Sequence, residues 1–515
     1  MQTNNDPNDK HTEALSYKKE ADNGDVEAMF KYGSMVYNGV GVPPDMQEAA
    51  RYIKMAADKG HVDALYNYGA MLNDGVGVPA DRREAVRYFK MAADKGDTDA
   101  MYNLAIMMGD GDSVPMDKQE AARYYKMAAD KGHVMAMNNY AIALRKGIGV
   151  PVDKTEATRY IKMAADHGDV RSMYVYALMA KNGEGIPVNN EDAARYMKMA
   201  ADHGDADSIF DYAMMLYTGD GVPVNKNEAG VYFRMSIMNG NTEALAIYSQ
   251  MHYNGDGVQL NHKGAALFAR MAAKKGHVGA MFNYGSMLYR GEGVPVNKEE
   301  AAHYFKAAAD KGEAKAMYNY GKMLRDGDGI AINKKEAARY FKMGAENGDI
   351  PSMATYSEML HLGEGVLIDR KEEIKYLRMA AENGHINAMY NYGVMFNTGD
   401  GIQENKEEAA KWFRMAADKG HEEAMFNYAI ALYKGEGVPV DKKEAARYFK
   451  MAADKGFVKA MNTYGNMVED GDGIPVDKDE AEHYYNMAIE RGDITAQENL
   501  LQMKTGFHVK ILHID

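Results

Sequence analysis

The chain has 515 residues, with 61 Lys+Arg against 75 Asp+Glu and no cysteine. Zero cysteine excludes disulfides, thiolate zinc sites and cysteine nucleophiles, and a net charge of −14 argues against a nucleic-acid backbone as ligand, which needs a basic face. No apolar run approaches the ~18–20 residues of a membrane span and the start, Met1-Gln2-Thr3-Asn4-Asn5-Asp6, has no signal-peptide core, so a soluble, cytoplasmic protein is expected.

Self-similarity organises everything that follows. Ala28-Met29-Phe30-Lys31-Tyr32-Gly33 returns as Ala64-Leu65-Tyr66-Asn67-Tyr68-Gly69 and as Ala316-Met317-Tyr318-Asn319-Tyr320-Gly321. The starts run 28, 64, 100, 136 and onward to 460, always 36 apart. Residues 1–12 read as a disordered tail and 13–27 as a half repeat. Thirteen full repeats fill 28–495, and 496–515 holds a second half repeat and a tail. That tail, Phe507 to Asp515, is apolar and breaks the pattern; it either covers the last helix or forms a short docking segment.

Within each repeat the pattern predicts helix, loop, helix, turn. In the first, Ala28, Tyr32 and Met35 share one helical face, as do Ala49, Tyr52 and Ala56. Between them Asn38-Gly39-Val40-Gly41-Val42-Pro43-Pro44 is too rich in Gly and Pro to remain helical. Asp45 opens the second helix, with Glu48 three residues on in a capping-box-like pairing. An Asp or Asn holds that cap position in all thirteen repeats, from Asp45 to Asp477. Gly60 supplies the left-handed stop. The expected fold is all-α: a right-handed α-solenoid superhelix of antiparallel helix pairs with a 36-residue period.

This unit resembles the Sel-one-like repeat family, relatives of tetratricopeptide repeats. The residues that carry the resemblance are Ala424, Tyr428-Ala429, Gly435-Glu436-Gly437-Val438, Asp441, Glu444-Ala445, Tyr448, Ala452-Ala453 and Gly456, and the match recurs thirteen times. The resemblance implies a non-catalytic scaffold or adaptor that binds other proteins, as family members do in signalling, cell-wall synthesis and endoplasmic-reticulum-associated degradation. A degradation adaptor is the alternative it leaves open. A β-lactam hydrolase is a more distant one, since that activity is claimed for the cysteine-rich branch and this chain has no cysteine.

The recurring residues are expected to be structural. Gly-x-Gly appears in twelve repeats, but a phosphate loop occurs once and follows a strand; here turn geometry explains it. Three positions, as in Met29, Met35 and Met55, hold 33 of the 42 methionines and read as adaptable core filler. Acidic loops such as Glu469-Asp470-Gly471-Asp472-Gly473 lack the ligand spacing of a calcium loop. His61, His133, His277, His385 and His421 recur singly, without a second metal ligand nearby in sequence. Glu48 with Arg51, Glu84 with Arg87 and Glu120 with Arg123 read as surface pairs worth only ~0.2–0.5 kcal/mol each. No catalytic residue, cofactor site or metal site is expected.

Three expectations concern binding. If first helices line a concave groove, as in tetratricopeptide relatives, the fourth repeat position faces it. That position is Asn67, Asn103, Asn139, Asn283, Asn319, Asn391 and Asn427, whose amides can pair with the backbone of an extended peptide; Tyr66, Tyr102, Tyr318 and Tyr390 would add contact area. The alternative is that these asparagines merely bond adjacent helices. Selectivity should come from the seventh and eleventh positions, apolar to neutral at Ile142, Leu178, Asn182, Met214 and Thr218 apart from Lys146, more charged at Lys322, Asp326 and Glu358 beside Leu362. Finally, Val231, Met238 and Leu267 replace charged residues and suggest an outward apolar patch on the convex face, while Gly264 should loosen the start of its helix.

Overall fold

The computed structural model describes residues 7–111 and 115–506. Among them 28 helices follow one another without a strand. The first helix, α1, spans Pro7–Asp22; the first repeat then gives α2 (Val26–Asn38) and α3 (Met46–Asp58), and the pairing continues to α27 (Lys478–Ile489) and the closing α28 (Ile494–Thr505). We call the first helix of each pair A and the second B. The chain forms two compact units, residues 1–260 and 261–515. Within each, a helix packs on its neighbours in chain order.

The expected caps are present. Asp45 Oδ1 accepts from the amides of Gln47 and Glu48 at 2.9 and 3.0 Å, and the Asp or Asn at this position accepts in every B helix. Among the described residues the reciprocal half of the capping box is absent. The cap amide already donates to the end of helix A, as Asp81 N does to Leu72 O at 2.8 Å, so the glutamate is released for other work. Glu120, Glu156 and Glu444 pair with Arg123, Arg159 and Arg447, whose guanidinium groups cover the next tyrosine ring at 4.2–4.4 Å. Glu48 departs from the expected pair with Arg51: it takes Lys18 at 3.0 Å and the Tyr32 hydroxyl at 3.1 Å.

Two contacts repeat through the core. Inside a repeat, an A-helix tyrosine meets a B-helix tyrosine edge to face, as Tyr68 meets Tyr88 at 4.8 Å and 79°. Between repeats, the same B-helix tyrosine reaches back thirty residues to the last aspartate of the previous B helix. Tyr52 donates to Asp22, Tyr232 to Asp202, Tyr340 to Asp310 and Tyr448 to Asp418 at 2.7–2.8 Å. The second loop glycine serves the same stacking. At Gly77 (φ +70°) a Cβ would lie 1.9 Å from Met46 O, and at Gly149 (φ +71°) 1.8 Å from Lys118 O. The loop backbone of one repeat therefore rests directly on the B-helix start of the repeat before it, a closeness only glycine allows.

Three expectations need correction. Helix α1 begins at Pro7, so residues 7–12 are helical rather than part of a disordered tail; the first loop seats on them, with His11 Nδ1 2.7 Å from Gly41 O. The Met29 and Met35 positions lie mostly in the core, but the third is half-buried at its flank, reaching 36% and 40% exposure at Met91 and Met271, because it sits beside the arginine stripe of helix B. Gly264 does not loosen its helix: Asn261 caps its amide at 3.0 Å, and helix His262–Lys274 starts in register. Val231, Met238 and Leu267 are 55%, 84% and 55% exposed; Val231 and Met238 belong to one compact unit and Leu267 to the other. Met238 stands where the acceptor aspartate recurs, and thirty residues on Phe268 lacks the donor hydroxyl. The apolar tail from Phe507 lies outside the described residues.

Candidate protein-binding face

The A helices present one recurring surface, and the expected residues can be placed on it. Of the seven asparagines, Asn391 is exposed and the other six are half-buried. Asn103 donates to the Tyr66 hydroxyl at 3.3 Å and Asn427 to that of Tyr390 at 3.5 Å, so these two do bond neighbouring repeats. The four tyrosines act as wedges. Tyr66 and Tyr318 pack on Phe89 and Phe341 of their own repeat at 5.8 and 5.7 Å. Tyr102 and Tyr390 stack on His133 and His421, which stand just before the next A helix, at 4.6 and 4.5 Å. Burial pushes the phenols of Tyr66 and Tyr390 up, which leaves them neutral hydrogen-bonding groups.

Between successive A helices the surface opens into pockets. One of about 430 Å³ is lined by Tyr66, Asn73, Asn103 and Ile106 over Phe89. One of about 130 Å³ is lined by Tyr289, Asn319, Lys322 and Asp326 over Phe305. One of about 450 Å³ carries Glu358 and Asn391 over Leu377, and one of about 350 Å³ carries Asn462, Asn466 and Asn499 over Phe449. The floor is the same B-helix position each time. The walls include the fourth, seventh and eleventh repeat positions, so the variable residues singled out in the sequence line these openings at Lys322, Asp326 and Glu358. Ile142 and Leu362 are 43% and 61% exposed, and Leu178 and Met214 half-buried.

Loop acids border the same pockets. Asp328 accepts from Tyr289 at 2.6 Å and Lys298 at 2.5 Å, and Asp472 from Tyr433 at 2.6 Å and Lys442 at 2.7 Å. The hydrogen bonds from Lys298 and Tyr289 hold the Asp328 carboxyl below the usual range. The acidic loops thus tie one repeat to the next.

The five recurrent histidines have a role the sequence reading missed. Each is the N-cap of an A helix: Nδ1 of His61, His133, His277, His385 and His421 accepts from the backbone amide three residues on at 3.0–3.3 Å. Asp or Asn does the same at Asp25, Asp97, Asp169 and Asn241. The signal was in the sequence, since histidine alternates with Asp and Asn at one position. An accepting Nδ1 must be unprotonated, and burial lowers the pKa of His385 and His421 accordingly.

Also missed is a buried carboxylate. Glu373, 4% exposed, lies 2.9 Å from His361 and from Arg370. Twelve repeats carry alanine at its position, from Ala49 to Ala481, and that single departure was legible. Among the described residues no group of three His, Asp or Glu could hold a metal ion, and no helix is long and apolar enough to cross a membrane.

The repeat itself has known counterparts. The sequence profile of the Sel1 repeat matches thirteen consecutive segments, from residues 26–61 to 458–493. A protective antigen of uropathogenic Escherichia coli with an SLR fold is 24% identical over 98% of this chain and 99% of its own, with a TM-score of 0.43. A Sel1 repeat protein from Oxalobacter formigenes is 26% identical over 64% of this chain and 96% of its own, with a TM-score of 0.42. No curated protein matches the sequence. The thirteen matched segments span most of the molecule, and the chain belongs to the Sel1 repeat family.

Proposed function

We propose that this chain is a non-catalytic scaffold that binds an extended segment of another protein along its A-helix face, in the cytoplasm. Sel1 repeat solenoids commonly serve as protein-interaction scaffolds. The observation that carries the finer reading is the set of pockets between successive A helices, three in the second unit and one in the first, built over the same B-helix position each time. An extended chain repeats its backbone amides regularly, and a regular row of asparagine amides with tyrosine edges suits that periodicity. Net charge supports a protein partner over nucleic acid, and the cysteine-free composition supports a reducing compartment.

Panning a random-peptide display library on the full-length protein supplies ligands for the test. Replacing Asn283, Asn319 and Asn391 by alanine removes three hydrogen-bonding amides at ~0.5–1.5 kcal/mol each, so affinity should fall by roughly tenfold or more. Unchanged affinity with unchanged helicity would refute the peptide-binding face. Measurable nitrocefin turnover would overturn the non-catalytic reading.

A further inference from the structure

Helix α28 is the last of the described helices, and among the described residues one of its faces is open. It packs on α27 and on α26 (Val458–Asp470). In the repeat before it, α26 also carries its own B helix, α27; no such partner lies on α28. Ile494 and Leu501 are two turns apart, and so lie on one side of the helix; they are 72% and 63% exposed. Leu500 beside them is half-buried, and within α28 only Ala496 is fully buried.

Leu501 also departs from the repeat. Its position is Gly, Ala or Ser in all thirteen repeats, from Gly33 to Gly465. The smallness is required by the neighbouring B helix. A Cβ on Gly33 would lie 2.7 Å from Ile53, one on Gly393 2.9 Å from Phe413, and one on Gly465 2.8 Å from Tyr485. A leucine leaves no room for a helix packed that closely. The rest of the face has changed with it. Gln497 is exposed where the repeats carry Met, Leu or Ile, and Lys504 pairs outward with Glu482. Polar edges around a small apolar centre suit the end layer of a repeat array, and the centre suits a cover thinner than a helix.

The residues directly after α28 have the composition of such a cover. Gly506 closes the helix in the left-handed conformation at φ +75°, which turns the chain off the helix axis. Phe507-His508-Val509-Lys510-Ile511-Leu512-His513-Ile514-Asp515 follows, with five apolar residues among nine. Leu501 lies about 7.5 Å back along the axis at 1.5 Å per residue, within reach of about three extended residues at ~3.3 Å each. Ile494 lies about 18 Å back, within reach of about six. In an extended segment Phe507, Val509 and Ile511 fall on one side, and His508 and Lys510 on the other. We propose that residues 507–515 fold back along α28 as an extended cover. Val509 and Ile511 then lie over Leu501 and Ile494, and His508 and Lys510 face solvent, so the stack closes without a further B helix.

Lys510 supplies the readout, since trypsin cuts after it only when the segment lifts off the helix. Full-length protein is digested briefly and the loss of residues 511–515 is followed by intact mass. A synthetic peptide of residues 505–515 gives the uncovered rate. The wild type should be cut roughly tenfold or more slowly than the peptide, because cleavage tracks the population of the opened state. Leu501→Asp places a charge at a site that is already mostly exposed, so the helices should be kept and the rate should rise to that of the peptide. Phe507→Ser lies beyond the last helix and should act in the same direction. Wild-type cleavage as fast as that of the peptide would overturn the proposal, and so would protection that survives Leu501→Asp at unchanged helicity. Protection that grows with protein concentration, together with a dimer by light scattering, would also overturn it, because a second copy would then be the cover.

Discussion

The tyrosine–aspartate link between successive B helices is one recurring polar contact between repeats, and removing one hydroxyl measures it. Tyr340 is 0% exposed and donates to Asp310 at 2.7 Å; Asp310 also takes Lys306 at 2.6 Å. Tyr340→Phe preserves the ring and its edge-to-face contact with Tyr320 at 4.8 Å, so only the hydrogen bond is lost. A bond to a charged acceptor contributes about 1.5–3 kcal/mol. The Asp310 side chain is 43% exposed, and water can replace the donor, so the loss should fall below that range, at about 1 kcal/mol. In a repeat array the loss falls on one nearest-neighbour interface, and hydrogen exchange should quicken in repeats eight and nine before it does elsewhere.

A double-mutant cycle with Asp310→Asn in urea isolates the pair. Burial opposes ionisation of Asp310, but the hydrogen bonds from Lys306 and Tyr340 outweigh it and hold its pKa below the usual value. A lowered carboxyl pKa contributes stability that is fully present above the unfolded value of about 3.9 and is lost as pH falls through the folded value. The coupling between residues 340 and 310 should therefore be present at neutral pH and vanish in strong acid. A coupling indistinguishable from zero at neutral pH, or one that persists unchanged in acid, would refute the account.

Other consequences follow from the same contacts. His421→Ala should cost about 1 kcal/mol as a lost helix cap, whereas His421→Asp should keep the cap. Because burial lowers the pKa of His385 and His421, their contribution is present above the unfolded value of about 6.5 and lost as pH falls through the folded one. His385→Asp with His421→Asp should then flatten the stability profile in that window, read by circular dichroism against pH. Gly293→Ala places a Cβ 2.0 Å from His262 O at φ +75° and should destabilise by several kcal/mol, while Gly276→Ala, with nothing near its Cβ, should cost only the strain of its φ of +94°; urea titrations of both variants rank them. Val231→Arg with Leu267→Arg should preserve the fold; if light scattering and partner capture match the wild type, the exposed apolar residues mediate no association.

Much of this molecule was legible in the sequence, and the reason is repetition. A helix–loop–helix–turn pattern that recurs thirteen times averages away the ambiguity of any single segment, so the period, the caps at Asp45 and its successors, and the turn glycines could be read directly. Departures from the repeat were legible too, although Glu373 went unremarked among the alanines. What the sequence could not decide was partnership. Whether Glu48 would meet Arg51, its own cap amide or Lys18 depends on where the previous helix lies, and the third methionine position looked like core because helical spacing does not say which flank of a face is covered.

The sequence alone determined the family, the helix pairs and the residues with special backbone demands, because those follow from local conformation and periodicity. Only the tertiary structure decided that Tyr340 reaches Asp310, that five histidines cap helices, and that Glu373 meets His361 and Arg370 in a pocket beside Asn391. Each joins residues that local periodicity does not relate, through side-chain directions set by how one helix pair rests on the next.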